Sequence, residues 1–442
     1  MSELSSLFRE MKGAVVLGVN PPVHDFTFFD LWAKPLGLLF LLDYLRKRGN
    51  RVFLADCIFE GRTGELSFGR NTIRKTEIPK PACLAAIPRR YHRFGIGEED
   101  FRSLLERCPV PDYILVTSVM TYWYGGVFSC IDTLRQVFPG VPVILGGIYT
   151  RLCPDHAELS GADMIQTEPL DLEFSLPATD LYRGLRYGVL ATTFGCPFRC
   201  EYCASRLLEP FYRRRDPALV LEDAARQLSS GEVRDLVFYD DALLAGKERH
   251  FYPLLAALNE RHPGTRFHTP NGLHVREIDD ECAAMLKKGG FETLRLSFES
   301  SDPEMQHRGS DKTSDDEYMA ALASLRKAGF SDRQLETYIL AGVPGQTPET
   351  VERSIRFVLE HGGNPRIAEF SPVPGTPSFS QAAALLPGLR DEPLLSNKTA
   401  YSSYLAGNMS PQELQALKDL AKGRKKERCK RPKFTERPAY YS

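Results

Sequence analysis

Residues 191–204 read Ala191-Thr-Thr-Phe-Gly-Cys196-Pro-Phe-Arg-Cys200-Glu-Tyr-Cys203-Ala204, with three cysteines in a C-x3-C-x2-C spacing directly after an apolar run. Three thiolates crowded into so short a loop suit a soft metal centre, and thiolate ligation is how iron–sulfur clusters are held. A [4Fe–4S] cube has four irons, so ligands Cys196, Cys200 and Cys203 leave one iron open to a substrate or cofactor. The competing readings are a zinc site short of one ligand and a chance pairing of two thiols. A closed zinc site needs four ligands, and no His or Cys lies within twenty residues on either side.

Outward from the triplet, the chain alternates strand and helix patterns six times. Strands are expected at Tyr187–Thr193, Asp235–Tyr239, Arg266–Pro270, Thr293–Glu299, Glu336–Ala341 and Arg366–Ser371. Helical periods fall between them at about 217–229, 247–261, 278–288, 314–328 and 348–361, with Pro217, Asp279 and Pro348 in opening positions and Gly289 and Gly362 closing two of them. Six repeats predict a parallel barrel, or three-quarters of one, with its chemistry at the strand carboxyl ends. The triplet follows the first of these strands.

Upstream, a second series is present. Apolar runs at Ala14–Val19, Val52–Asp56, Tyr113–Val119, Val141–Leu145 and Asp163–Gln166 alternate with helical patterns at Leu36–Arg48, Gly126–Val137 and Asp155–Leu159. This predicts an α/β doubly wound (flavodoxin-like) parallel sheet. The expected division is residues 1–168 for this domain with a Gly-, Pro- and Arg-rich insertion at 58–111, a linker at 169–182, the partial (β/α)6 barrel at 183–380, and a C-terminal helical extension with a basic tail at 381–442. The tail Lys422–Lys433 is expected to be a solvated extension.

Of the 442 residues, 43% are hydrophobic and 26% charged, and 56 basic residues face 57 acidic ones, a net charge of -1. That balance gives no basis for a nucleic-acid or membrane partner, and the longest apolar run, Leu36–Leu42, is too short to span a bilayer. The first ten residues lack the basic and apolar regions of a signal peptide. Seven further cysteines (Cys57, Cys83, Cys108, Cys130, Cys153, Cys282 and Cys429) are scattered singly. They suit buried free thiols in a reducing, cytoplasmic compartment rather than a disulfide framework.

The triplet at the head of a six-unit β/α series resembles the radical S-adenosylmethionine (radical SAM) superfamily over residues 183 to about 378. Tyr202 stands where the family has an aromatic residue against adenine. The second strand ends Phe238-Tyr239-Asp240-Asp241 where many members have Gly-Gly-Glu, so Asp240 is implied to meet the methionyl amine. Leu294-Arg-Leu-Ser297-Phe-Glu299-Ser300 resembles a Gly-x-Glu-Ser pattern whose Glu bonds the ribose, with Ser297 in place of glycine. Arg308 and Lys312 follow where a basic group commonly meets the methionine carboxylate. Gly342-Val-Pro-Gly-Gln346-Thr347 and Pro372-Val373-Pro-Gly-Thr376 resemble the strand-five and strand-six signatures, the Pro372-Val373 turn offering an apolar face to adenine.

The first domain is similar to the cobalamin-binding domain that precedes the radical domain in one branch of this family. The matching stretches are Asn20-Pro-Pro22, Pro35-Leu-Gly-Leu38 and Val143–Thr150. The branch's Asp-x-His-x-x-Gly loop is absent, and His24-Asp25 has the reverse order, so cobalamin binding and a vestigial scaffold both stand. The resemblance implies reductive cleavage of SAM at a [4Fe–4S] cluster, electrons from a flavodoxin- or ferredoxin-type donor, and radical chemistry on a small-molecule or peptide substrate. Cobalamin-dependent methyl transfer is the leading outcome, and rearrangement, cyclisation or oxidation without cobalamin is the alternative. Methylthiolation of RNA or protein would need a second cluster, and the seven other cysteines form no second triplet. An iron–sulfur carrier or sensor would have little use for the Glu299, Pro344-Gly345 and Pro374-Gly375 patterns.

Overall fold

Short strands that are apolar on both faces build the first layer. A computed structural model of the chain, describing residues 3–229, 231–309 and 313–428, places β1 (Val15–Asn20), β2 (Arg51–Asp56), β3 (Tyr113–Val116), β4 (Val143–Leu145) and β5 (Met164–Ile165) in one all-parallel sheet. Its order is β5-β4-β3-β1-β2, so the chain reverses its direction of travel between β1 and β3. Alternate side chains enter different cores. Val16, Leu115 and Ile144 join Leu38 and Leu42 on one face, and Leu17, Val19, Ile114 and Val143 join Val127 and Ile131 on the other. Helices covering both faces explain the uninterrupted apolar strands. Gly49, at φ +90, ends the helix Leu36–Lys47 as the sequence predicts.

Residues 58–111 contain the helix Glu98–Glu106 and also strands that the sequence does not advertise. Val23–Asp25, His92–Phe94 and Lys75–Glu77 form a three-stranded antiparallel sheet, and Arg62–Glu65 pairs with Asn71–Ile73. These strands are three or four residues long and partly exposed, too short for an alternating pattern to register. The linker is not free chain. Leu170, Leu172 and Phe174 pack on the first core, Asp180 pairs with Arg46 at 2.5 Å, and Ser175 O accepts from the Arg215 guanidinium at 2.8 Å.

The second sheet contains β6 (Tyr187–Leu190), β7 (Asp235–Phe238), β8 (Arg266–His268), β9 (Leu273–His274), β10 (Phe291–Glu299), β11 (Leu335–Ala341) and β12 (Pro365–Glu369). All pairs are parallel, the order is β6-β7-β8-β10-β11-β12, and β9 adds to β10. The six expected strands are all present; those at Phe291–Glu299 and Leu335–Ala341 run slightly longer than expected, and the others are shorter or shifted. Leu190, Leu236, Phe238, Phe267, Leu294, Leu296, Phe298 and Ile339 pack under helices in the largest core. By strand alternation the opposite face carries Tyr187, Val189, Val237, Tyr239, His268, Arg295, Ser297, Glu299, Glu336, Tyr338 and Arg366. The helices open as read: Asp216, Asp279 and Thr347 each accept from a first-turn N–H, with Pro217 and Pro348 inside the first turn. The left-handed residue closing Asp280–Lys288 is Gly290, at φ +83, rather than Gly289.

The first half of the chain plugs that second face. Trp32, 2% exposed and at φ +63, clusters with Tyr187, Val189 and Val237. Its indole stacks on His268 at 5.1 Å, its Nε1–H donates to Phe68 O at 2.9 Å, and the Arg70 guanidinium lies 4.6 Å above it. The C-terminal extension then returns to the first half. Asn397 Nδ2 donates to the buried Asp25 at 2.9 Å, and Tyr124 OH donates to Glu392 at 2.9 Å. The expected helix at 411–422 runs Pro411–Arg428, with Leu414 and Leu417 in the main core. The basic tail beyond Arg428 lies outside the described residues, as do Cys429 and Lys312. Among the described residues no helix is long and apolar enough to cross a membrane.

Candidate functional site

The cysteine loop hangs from the end of β6 and is held by a buried carboxylate. Asp240 Oδ1 accepts from Thr192 N–H and Oγ1–H at 3.0 and 2.8 Å and from Thr193 N–H and Oγ1–H at 2.5 and 2.6 Å. Asp240 is 4% exposed, and burial pushes its carboxyl up to about 6 against those four donors. Its Oδ2 is buried without a hydrogen-bond partner. Asp240 thus anchors the cluster loop, a role the sequence does not predict, and its second oxygen is unspent. Thr193–Phe194 then pairs antiparallel with Arg213–Arg214, closing a lip around the loop. Gly195, at φ +74, is required there, because a Cβ would sit 2.8 Å from Phe211 O.

Within the loop Cys196 and Cys200 are half-buried, Cys203 is exposed, and all three are free thiols. Cys200 Sγ–H donates to Gly309 O at 3.3 Å, and Ser205 N–H donates to Cys203 Sγ at 3.5 Å. Burial pushes the Cys196 thiol up to about 11, and Cys203 and Cys200 are near enough to push the same way. Among the described residues no three His, Cys, Asp or Glu side chains converge on one metal ion. A cube gives each thiolate its own iron, so its three sulfurs stand farther apart than ligands around one ion. Three free, neighbouring, partly accessible thiols fit a cube with an open iron.

Helix Pro303–Arg308 and the loops after β11 and β12 clasp the other side. Arg308, expected to meet a methionine carboxylate, is surrounded here by protein acceptors. Its Nε–H donates to Glu201 at 3.1 Å, Nη1 to Pro344 O at 2.9 Å and to Met305 Sδ at 3.8 Å, and Nη2 to Gln381 at 2.7 Å and Ser378 at 3.3 Å. A guanidinium has five N–H donors, and here all five are spent within the protein. Arg308 therefore braces the cluster loop. Tyr202 is half-buried among Met305, Leu340, Phe370, Phe379 and Tyr401. Burial raises its phenol, with Glu299 and Cys200 adding to the shift.

Glu299 ends β10 at φ +68, one of three described non-glycine residues with positive φ, and its Oε1 accepts from Ser297 Oγ at 2.7 Å. Backbone strain of this kind collects at functional sites. Ser300 points elsewhere: 1% exposed, its Oγ lies 3.2 Å from Ser354 Oγ and accepts from Asp302 N–H at 3.0 Å. In this structure its hydroxyl caps the turn at Asp302. Pro372 is buried and Val373 half-buried in a turn that Thr376 Oγ1 closes on Val373 O at 2.7 Å. The glycines of the two Pro-Gly signatures, Gly345 and Gly375, stand at φ +85 and +83. Gln346 Oε1 accepts from Gly342 N–H at 2.9 Å while its Nε2–H donates to Leu340 O at 3.0 Å, so that signature glutamine shapes its own loop.

The carboxyl ends of the first sheet look toward this loop. Arg151, after β4, donates to Leu208 O, five residues past Cys203. Around β3 and β4 the loops close on each other: Ser118 Oγ–H donates to Gly146 O at 2.7 Å, and a Cβ on Gly147 would lie 2.2 Å from Ser118 O. His24 lies in the antiparallel strand beside Arg93, its Nε2 buried without a partner and its imidazole lowered to about 4 by burial and by Arg93.

Residues 190–358 match the family model described as the Radical SAM superfamily. The chain is 26% identical over 223 residues to an uncharacterized methyltransferase of Pyrococcus horikoshii, covering 48% of this chain and 47% of the relative. It is 22% identical over 287 residues to the bacteriochlorophyllide d C-12(1)-methyltransferase of Chlorobaculum tepidum, covering 56% and 61%. The chain thus spans about half to three-fifths of these curated relatives. Among solved structures, the radical SAM methyltransferase TsrM of Kitasatospora setae, with tryptophan and a SAM analogue bound, superposes with a TM-score of 0.60 at 17% identity, covering 85% of this chain and 77% of that one. OxsB, a cobalamin-dependent SAM radical enzyme with aqua-cobalamin and SAM bound, gives 0.56 at 13% identity, covering 96% and 62%. The likeness extends over both sheets and concerns the fold. The matched stretch starts at the end of β6 and carries the cysteine loop, Asp240, Glu299 and Arg308.

Proposed function

We propose that the chain is a radical SAM enzyme that holds a [4Fe–4S] cluster on Cys196, Cys200 and Cys203 and transfers a methyl group to a small molecule or peptide with the help of cobalamin. The observation that carries the first part is the convergence of the cysteine loop, fixed by Asp240 and Arg308, with the left-handed Glu299 around Tyr202. When bound, the cluster and SAM supply an electron and a sulfonium whose C–S bond breaks to start radical chemistry. The protein's own residues orient and exclude water. Glu299 accepts hydrogen bonds from the ribose hydroxyls, Asp240 Oδ2 accepts from the methionyl ammonium, and Tyr202 with Pro372 and Val373 gives the adenine apolar faces.

In this reading residues 1–168 are a flavodoxin-like cobalamin domain with the 58–111 insertion, residues 183–380 an open partial barrel, and residues 381–442 an extension that straps one to the other. Support comes from the strand order of the first sheet, from the contact of Arg151, after β4, with Leu208 beyond the cysteines, and from the two folds it resembles. A flavodoxin- or ferredoxin-type donor supplies electrons in a reducing cytoplasm. A second reading, radical chemistry without cobalamin, is favoured by the closed loops at Ser118 and Gly147 and by the lack of a histidine motif for cobalt.

Anaerobic reconstitution with iron and sulfide, then dithionite, SAM and cobalamin, tests this. We expect a cluster absorption band, release of 5′-deoxyadenosine or S-adenosylhomocysteine, and cobalamin retained through desalting. Absence of both the cluster band and SAM turnover overturns the radical SAM reading. Cobalamin lost on desalting overturns the methyl-transfer version in favour of the second.

A further inference from the structure

Glu299 adopts φ +68, a conformation that L side chains rarely take. What holds its carboxylate there is two residues upstream on the same face of β10. Ser297, 4% exposed, donates its hydroxyl to Glu299 Oε1 at 2.7 Å, a charge-assisted bond of the stronger class. The related sequence pattern has glycine at this place, which has no hydroxyl to donate.

A side chain at 297 needs room, and the neighbouring ladder supplies it. Leu273 and His274 of β9 pair with Leu296 and Ser297 of β10, and Gly272, just ahead of β9, lies against residue 297. A Cβ on Gly272 would lie 2.9 Å from Ser297 Cβ and 3.2 Å from its Cα and Oγ. The nearest atoms are a serine Cβ and backbone, not the flexible end of a long side chain, so the crowding has no cheap relief. The same short strand also supports the cluster loop, because His274, 6% exposed, meets the Phe198 ring edge-on at 4.2 Å.

We propose that Ser297 is a positioning residue that aims the Glu299 carboxylate at the SAM ribose, and that residue 272 is glycine because residue 297 is serine. This rests on the reading of Glu299 given above. Ser297 does not touch the reacting atoms. It fixes the rotamer of a carboxylate that has two oxygens to share between serine and ribose.

The test uses the full chain, reconstituted anaerobically, with iron content and melting midpoint as controls for folding. Equilibrium dialysis measures SAM affinity, and perturbation of the reduced-cluster EPR signal measures the affinity of free methionine, which lacks the ribose. Ser297→Ala is expected to weaken SAM about fivefold to tenfold and to leave methionine unchanged, with Ser297→Gly behaving alike. Gly272→Ala is expected to weaken SAM at least as much in the native background and clearly less in the Ser297→Gly background, where only the contact with the Cα of residue 297 remains. Unchanged SAM affinity in Ser297→Ala, while Glu299→Gln weakens it, overturns this proposal alone. So does an equal loss of SAM and methionine affinity, which marks general damage. Unchanged SAM affinity in Glu299→Gln overturns the ribose assignment and this proposal with it. An equal cost of Gly272→Ala in both backgrounds overturns the pairing of Gly272 with Ser297.

Discussion

Arg308 and Glu201 face each other at 3.1 Å across two loops far apart in sequence. Their backbones repeat the link, since Glu201 N–H donates to Arg308 O at 3.0 Å. The Arg308 side chain is 10% exposed and that of Glu201 35%, so the pair sits where water screens it only in part. Replacing Arg308 by Met strips four further acceptors of their donor at once. The expected cost is about 3 kcal/mol, read as a lower melting midpoint together with fewer irons per chain after reconstitution. Full iron content in a stable Arg308→Met would remove Arg308 from the bracing of the loop.

Each cysteine of the triplet is expected to be singly necessary. Cys196→Ala, Cys200→Ala and Cys203→Ala are expected to lose the cluster absorption band and all SAM cleavage while keeping the fold, since none lies in a hydrophobic core. Full SAM cleavage by Cys200→Ala would refute the ligand assignment. Replacing any of the other cysteines, such as Cys108, leaves the cluster in place.

Gly195 is held at φ +74 against Phe211 O. Gly195→Ala combines a left-handed alanine with a carbonyl clash and is expected to cost about 2 kcal/mol. The cost is local to the mouth of the cluster loop, so iron content should fall more than the melting midpoint does.

Burial raises Asp240 to about 6, from an ordinary 3.8. A carboxyl raised on folding binds its proton more tightly folded than unfolded, so its contribution to stability is present at low pH. That contribution is lost as pH rises from about 4 through about 6. Asp240→Asn keeps an Oδ1 acceptor for Thr192 and Thr193 and removes the titration. Its melting midpoint against pH, measured on cluster-free protein, should lack the downward slope of the parent across that window. An unaltered slope would assign it to another group.

Ser300 separates fold from ligand. Its hydroxyl caps Asp302 and meets Ser354, so Ser300→Ala should lower stability by about 1 kcal/mol and leave SAM affinity within twofold. A large loss of SAM affinity at full iron content would restore Ser300 to the ligand shell.

Much of this molecule is legible in its sequence because its strands are buried on both faces or under helices. Val16 and Leu17 belong to different cores, and such runs stand out as apolar blocks. The triplet is legible because thiol spacing is itself the chemistry. The small sheet of Val23–Asp25, Lys75–Glu77 and His92–Phe94 is not, since strands of three residues with His, Asp, Lys, Glu and Arg among them carry no period. Site residues divide on a different line. A motif can mark Arg308 and Ser300 as conspicuous, but whether a guanidinium faces a ligand or five protein acceptors depends on Glu201, Pro344, Ser378 and Gln381, which no local pattern joins. Asp240 shows the reverse: its capture of Thr192 and Thr193 crosses from one strand to the next, and only the register of β6 and β7 creates it.

Trp32 lies in the first half of the chain and is buried against Tyr187, Val189 and Val237 of the second. The sequence boundary near residue 183 is therefore not a seam along which the protein divides. A fragment beginning there would present an aromatic hollow to water where an indole belongs, and would meet other copies of itself through it. The two halves are inherited as one unit, and a recombination event that exchanged the first half for another would have to bring its own tryptophan.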